Sequence, residues 1–147
     1  MLMSPQTFRE MVKPKMGSMI AALKRKGPGV KVAFHSDGYI EPVIDDLIEV
    51  GVDLLNPIQP ESMDPARLKK RYGKRIALWG AVSTQQTLPF GSADDVRAEV
   101  RERIRTCARG GGFLLAPTHN IQLDVPFANV RAFYDAVRDF GAYPIRL

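Results

Sequence analysis

Short apolar runs that read as strands alternate with segments of helical periodicity four times along the 147-residue chain, and one further helix precedes the first of them. That order leaves little choice of architecture. Strands separated by helices cannot pair as hairpins; they lie parallel, joined by right-handed crossovers. The predicted fold class is therefore α/β, a single domain over residues 1–147 with about four strands and five helices. Four strand-helix units make either a small open sheet or half of an eight-stranded barrel, which takes roughly 250 residues. Length alone does not choose.

The leading helix opens with Ser4 as N-cap and Pro5 in its first position, and Phe8, Met11, Val12, Met16, Met19, Ile20 and Leu23 recur at helical spacing as far as Gly27. Pro14 is expected to kink or split it, and the methionines are read as filler along its buried stripe. Strands are expected at residues 30–34, 52–58, 76–82 and 113–116. Between them fall a helix with Ile40, Val43, Ile44, Leu47 and Ile48 on one face, and a short helix capped by Asp64-Pro65 and ended by Gly73. A strongly amphipathic helix opens at Ser92 and carries Val96, Val100, Ile104 and Cys107. Gly110-Gly111-Gly112 follows a helix and precedes a strand, the wrong order for a phosphate loop, and reads as a helix stop. The last helix, entered near Asp124 and Pro126, is assigned Phe127, Val130, Tyr134 and Val137 as its apolar face and ends at Gly141.

Several classes of function fall away. No apolar run approaches the roughly 18 residues of a membrane span, and residues 1–4 are too short and broken for a signal-peptide core, so a cytoplasmic address is expected. One cysteine, Cys107, excludes an internal disulfide and reads as a buried small hydrophobe. The net charge of +5 comes from clusters such as Lys24-Arg25-Lys26 and Lys69-Lys70-Arg71 on amphipathic helices, with no nucleic-acid-binding spacing around them. They read as solvated helix faces, and no nucleic-acid partner is expected. Asp45-Asp46 and Asp94-Asp95 are assigned to solvation or capping.

In either parallel architecture chemistry belongs beyond the carboxyl ends of the strands. The polar residues fall there: His35 and Asp37 after the first strand, Asn56 and Gln59 after the second, Ser83, Gln85 and Gln86 after the third, His119, Asn120 and Gln122 after the fourth. Both histidines of the chain end strands and face one mouth. His35, Asp37 and His119 form a nitrogen, oxygen, nitrogen set that suits a divalent ion such as zinc with a coordination position left for substrate. Two other readings stand beside it. His35 and Asp37 could simply hydrogen-bond and hold the loop, or His119 could act as a metal-free general acid or base. Ser36 and Ser83 lack the context of a nucleophilic serine.

The strings F-H-S-D-G at 34–38, V-D-L-L-N-P-I-Q at 52–59, L-W-G-A-V-S-T-Q at 78–85 and G-G-F-L-L-A-P-T-H-N-I-Q at 111–122 resemble the uroporphyrinogen decarboxylase superfamily, which also holds zinc-dependent, corrinoid-linked methyltransferases. The S-P-Q-T-F-R start and the V-P-F-A-N-V entry to the last helix extend the resemblance over essentially the whole chain. It implies the C-terminal half of a TIM (β/α)8 barrel. The decarboxylase branch resembled here has an arginine-rich segment and an aspartate in the N-terminal half of the barrel, a region this sequence does not contain, so neither is carried over. The methyltransferase branch carries His-x-Cys and a distant Cys around zinc. Here His35 matches the histidine, Asp37 stands at the first cysteine and His119 at the second. A carboxylate and an imidazole in place of two thiolates leave the metal more positive and harder, with a polarised thiol, water or oxygen acceptor all open.

What the resemblance implies is methyl transfer from a methylated corrinoid, carried by a partner protein, to an acceptor activated by zinc on His35, Asp37 and His119. Asn56, Gln59, Ser83, Gln85, Asn120 and Gln122 are then candidate substrate contacts. The alternatives are a porphyrinogen decarboxylase of heme biosynthesis using His119 without metal, or a truncated chain without catalysis. A half-barrel leaves its inner sheet face without a wall. The expected remedies are an N-terminal half, a second copy, or an open sheet covered by the first helix.

Overall fold

The computed structural model describes residues 2–147, and in it the four expected strands form one parallel sheet in the order β1-β2-β3-β4. They are β1 (Ala33–His35), β2 (Leu54–Ile58), β3 (Ala77–Val82) and β4 (Phe113–Pro117). The pairing places His35 opposite Asn56, Leu55 opposite Leu78 and Trp79 opposite Leu114, with an irregularity between Leu55 and Ile58. The first strand begins later than the apolar run suggests: Val32 still touches the start of β2, accepting from Leu54 N–H at 3.1 Å and donating to the Asp53 carboxylate at 2.8 Å, but ladder pairing starts with Ala33 opposite Leu54.

Helix α1 runs as Pro5–Thr7, a π-turn Phe8–Val12 and Lys13–Lys26. Ser4 caps it by accepting from Thr7 N–H at 3.0 Å. Pro14 has no N–H to give and sits just past the π-turn, but the helix runs on without interruption from Pro5 to Lys26, so the expected split does not occur and the irregularity is the π-turn alone. After β1 come a 3-10 turn, Glu41–Val43, and α2 (Ile44–Glu49), then α3 (Pro65–Tyr72), α4 (Thr87–Phe90), α5 (Ala93–Arg103, continued by a π-turn Ile104–Ala108) and α6 (Phe127–Phe140). The short α4 brings the helices among the described residues to six where five were expected. Ser92 and Asp95 close the capping box of α5.

Alternate residues of each strand point to opposite faces. Leu55 and Leu78 are fully buried beneath the helices, whereas Ala33, His35 and Leu114 on the other face are exposed and Leu54, Asn56 and Trp79 half-buried. The inner face of the curved sheet is therefore open. Helix α1 does not cover it: Phe8 and Ile20 pack with Ile40, Ile44 and Leu47 on the helix side. A second core, of Val82, Leu88, Val96, Val100, Ile104 and Phe133, fills the space between β3, α5 and α6.

Three assignments are corrected. Met11 and Met19 are about 60% exposed, because α1 turns Phe8, Val12 and Ile20 inward. In α6, Phe127 and Tyr134 are exposed while Asn129, Ala132, Phe133 and Ala136 are buried. The buried face is set by Asn129, whose Nδ2 donates to the carbonyls of Leu88 at 2.9 Å and Gly91 at 2.7 Å and ties α6 to the end of α4. Asp46 is not solvated: it is buried at 5% exposure and accepts from Arg9 at 2.9 Å and Lys13 at 2.7 Å. Many of the basic residues are likewise paired, as Lys24 is with Asp53 at 2.8 Å and Arg75 with Asp45 at 2.7 Å. Cys107 is buried, which pushes its thiol pKa up.

Candidate metal centre

The site grows from the four strand ends. After β1 the backbone stays pinned to β2, since Ser36 N–H donates to Asn56 O at 2.9 Å. Gly38 then reverses the chain at φ +78, a left-handed conformation that suits glycine, and its N–H donates to the side-chain oxygen of Gln59 at 3.0 Å. These anchors hold His35 and Asp37 so that His35 Nε2 lies 3.4 Å from Asp37 Oδ2. On its other side, His35 Nδ1 lies 2.7 Å from Asn56 Oδ1.

β4 delivers the third group. Thr118, itself buried, donates its N–H to Val82 O at 2.9 Å and meets the Thr84 hydroxyl at 2.9 Å, which fixes the chain just before His119. The His119 ring stands 5.9 Å from that of His35, centroid to centroid, at an interplanar angle of 70°. One donor atom from each of His35, Asp37 and His119 lies within 4.8 Å of the others. All three side chains are exposed at the mouth of the sheet. Zinc bonds of about 2.0 to 2.1 Å at tetrahedral angles separate two ligand atoms by about 3.4 Å, the spacing of His35 Nε2 and Asp37 Oδ2, so this pair could hold such an ion with His119 within 4.8 Å of both.

β3 ends differently. Ala81 is the one non-glycine residue with positive φ, +81, among the described residues, and Arg103 holds its carbonyl with an Nε–H donor at 3.0 Å. Arg103 also pairs with Glu99 at 3.0 Å, and Glu99 accepts from Ser83 N–H at 3.3 Å. Ser83 is buried. Its hydroxyl donates to Glu61 and accepts from Gln86 N–H at 2.9 Å, so it shapes the turn instead of facing the mouth. Gln85 and Gln86, beyond it, are exposed.

A cleft of about 370 Å³ adjoins the three groups and is lined by Asp37, Gln59, Gln85, His119, Asn120 and Gln122 with the Thr84–Thr118 pair. A second, of about 410 Å³, runs from His35, Asn56 and His119 along the inner sheet face past Trp79. The site residues expected from the sequence thus gather at one mouth, Ser83 apart. Sequence reasoning missed Thr84, Thr118 and Trp79; the two threonines carried a signal, since each stands at a strand end as the expected residues do. The Glu61–Ser83–Glu99–Arg103 chain carried none, because Glu61, Ser83 and the Glu99–Arg103 pair lie far apart in sequence.

A parallel α/β sheet with its polar residues at the carboxyl ends of the strands has the layout of part of a TIM-type barrel. The family model described as uroporphyrinogen decarboxylase (URO-D) matches residues 1–140, and the chain belongs to that family. A uroporphyrinogen decarboxylase of Psychromonas ingrahamii is 26% identical over 146 residues, covering 95% of this chain and 39% of its own length. The methylcobamide:CoM methyltransferase MtaA of Methanosarcina barkeri is 29% identical over 141 residues, covering 96% of this chain and 39% of its own. Among solved structures, a methyltransferase from Methanosarcina mazei superposes with a TM-score of 0.77 at 27% identity, over 95% of this chain and 39% of that one. The chain therefore spans about two fifths of the length of the relatives it matches.

Proposed function

We propose that the chain is part of a methyltransferase of this family, in which His35, Asp37 and His119 hold a divalent ion, zinc in the first instance, and the methyl donor is a methylated corrinoid brought by a partner protein. The observation that carries the reading is the convergence of two histidines and a carboxylate, from the first and last strands, to within 4.8 Å at one mouth. The methyltransferase relatives support the reaction type. When bound, the ion would lower the pKa of an acceptor X–H and expose its lone pair. The corrinoid, when bound, would supply the methyl group and keep the cobalt–carbon electron pair, while the acceptor's proton would pass to solvent at the exposed mouth where His35, Asp37 and His119 stand. Asp37 would neutralise part of the ion's charge, and the two neutral imidazoles would leave the remainder to polarise the acceptor. Gln59, Gln85, Asn120 and Gln122 line the adjoining cleft and would orient the acceptor by amide hydrogen bonds.

The test is metal content. The chain freed of metal and given zinc is expected to bind one ion per chain, and to lose it when His119 is replaced by Ala. A second reading, a porphyrinogen decarboxylase with His119 positioning substrate, is favoured by the similarity to uroporphyrinogen decarboxylases over the same stretch. Porphyrin binding without stoichiometric zinc would select it. If neither the chain alone nor the chain mixed with the remaining strand-helix units of a relative shows activity, the reading as a non-catalytic fragment takes their place.

A further inference from the structure

We propose that Asn56 is the positioning residue of this centre: by accepting a hydrogen bond from His35 Nδ1 it fixes the tautomer in which Nε2 is the ligand atom. The ligand half of the proposal rests on the metal reading above, whereas the tautomer does not. Asn56 stands directly opposite His35 in the β1–β2 register, so both side chains leave the inner face side by side. Their contact, His35 Nδ1 to Asn56 Oδ1, is 2.7 Å. An amide oxygen only accepts, so the hydrogen belongs to Nδ1, and in the neutral ring the lone pair is then on Nε2.

That lone pair points at a second acceptor. Nε2 lies 3.4 Å from the Asp37 carboxylate, and two acceptors held face to face call for a cation or a proton between them. Asn56 therefore does more than orient a ring: it chooses which nitrogen confronts Asp37. The same strand and the residue just after it hold the rest of the loop, with Asn56 O accepting from Ser36 N–H at 2.9 Å and Gln59 Oε1 from Gly38 N–H at 3.0 Å. Asp37 sits between these two anchors. β2 gives no ligand to the set, yet it positions both ligands that the β1 loop supplies.

Two measurements test this. Nitrogen-15 NMR of the metal-free chain, above the pH at which its imidazoles lose their proton, should show His35 as the Nδ1–H tautomer, with the His119→Gln variant separating the two rings. Zinc affinity, measured by competition with a chromophoric chelator, should fall about 10- to 100-fold in Asn56→Leu and stay within a few-fold of wild type in Asn56→Asp, which keeps an acceptor at that place. An Nε2–H tautomer in the wild-type chain overturns the proposal, as does a folded Asn56→Leu chain with unchanged zinc affinity. Should Asn56→Leu fail to fold, the wild-type tautomer still decides. A wild-type chain with the Nδ1–H tautomer that binds no zinc removes the metal reading and leaves the hold of Asn56 on His35 in place.

Discussion

The side chain of Asp37 is 57% exposed, so little packing depends on it. Asp37→Ala is expected to change stability by no more than about 0.5 kcal/mol while weakening zinc binding by about 100-fold, which melting curves and chelator competition on one preparation will show together. Asp46 behaves oppositely. Burial would raise its pKa, but the hydrogen bonds from Lys13 and Arg9 outweigh that and hold the carboxyl below its ordinary value of 3.8. In the unfolded chain it takes up a proton first as the pH falls. Its stabilising contribution is therefore complete above about pH 4 and disappears as the pH drops through the folded-state value. Asp46→Asn should lower the melting temperature at pH 7, by the equivalent of about 1 to 3 kcal/mol, and by less at pH 3. An equal loss at both pH values would mean that the ion pairs contribute nothing there.

At the level of elements, Asn129 joins α6 to α4, and its two carbonyl partners have to be satisfied. Asn129→Leu matches the volume but leaves Leu88 O and Gly91 O without their donor, and it should cost about 1 to 3 kcal/mol in urea unfolding. The same residue shows why one helix face was misread. Apolar periodicity picked out Phe127 and Tyr134, and no pattern of hydrophobicity can announce a buried asparagine whose partners lie about forty positions away in sequence. The methionines of α1 misled in a similar way, since a helix with apolar residues on more than one side does not say which side is covered. Strands and their ends were legible because glycine, proline and short polar residues punctuate each unit. His35, Asp37 and His119 were legible as strand-end residues for the same reason. The link from Asn56 to His35 depends on register across 21 positions, which a single strand does not encode.

The whole molecule is open on one side. Leu114 on the inner face is 43% exposed, and the faces of α1 and α6 that carry Met11, Met19, Phe127 and Tyr134 are also bare. This chain by itself is expected to bind an apolar-surface dye and to sediment as more than 16.4 kDa at micromolar concentration. Leu114→Glu should reduce both effects and barely move the melting temperature, because the side chain is half in water already. A compact monomer that binds no dye would count against the exposed face. The curvature that leaves this face bare also sets a distance. Neighbouring strands lie about 4.8 Å apart, so in a flat sheet β1 and β4 would be separated by about 14 Å. The two imidazoles that extend from those strands are nonetheless 5.9 Å apart. The pair works as a caliper across the arc of the sheet, and an ion gripped by both arms would lock the bend at its present radius. If the proposed ion is held by both imidazoles, binding it and keeping the ends of β1 and β4 together are thermodynamically linked: each decade of ion concentration above its dissociation constant would add about 1.4 kcal/mol in favour of the bent form.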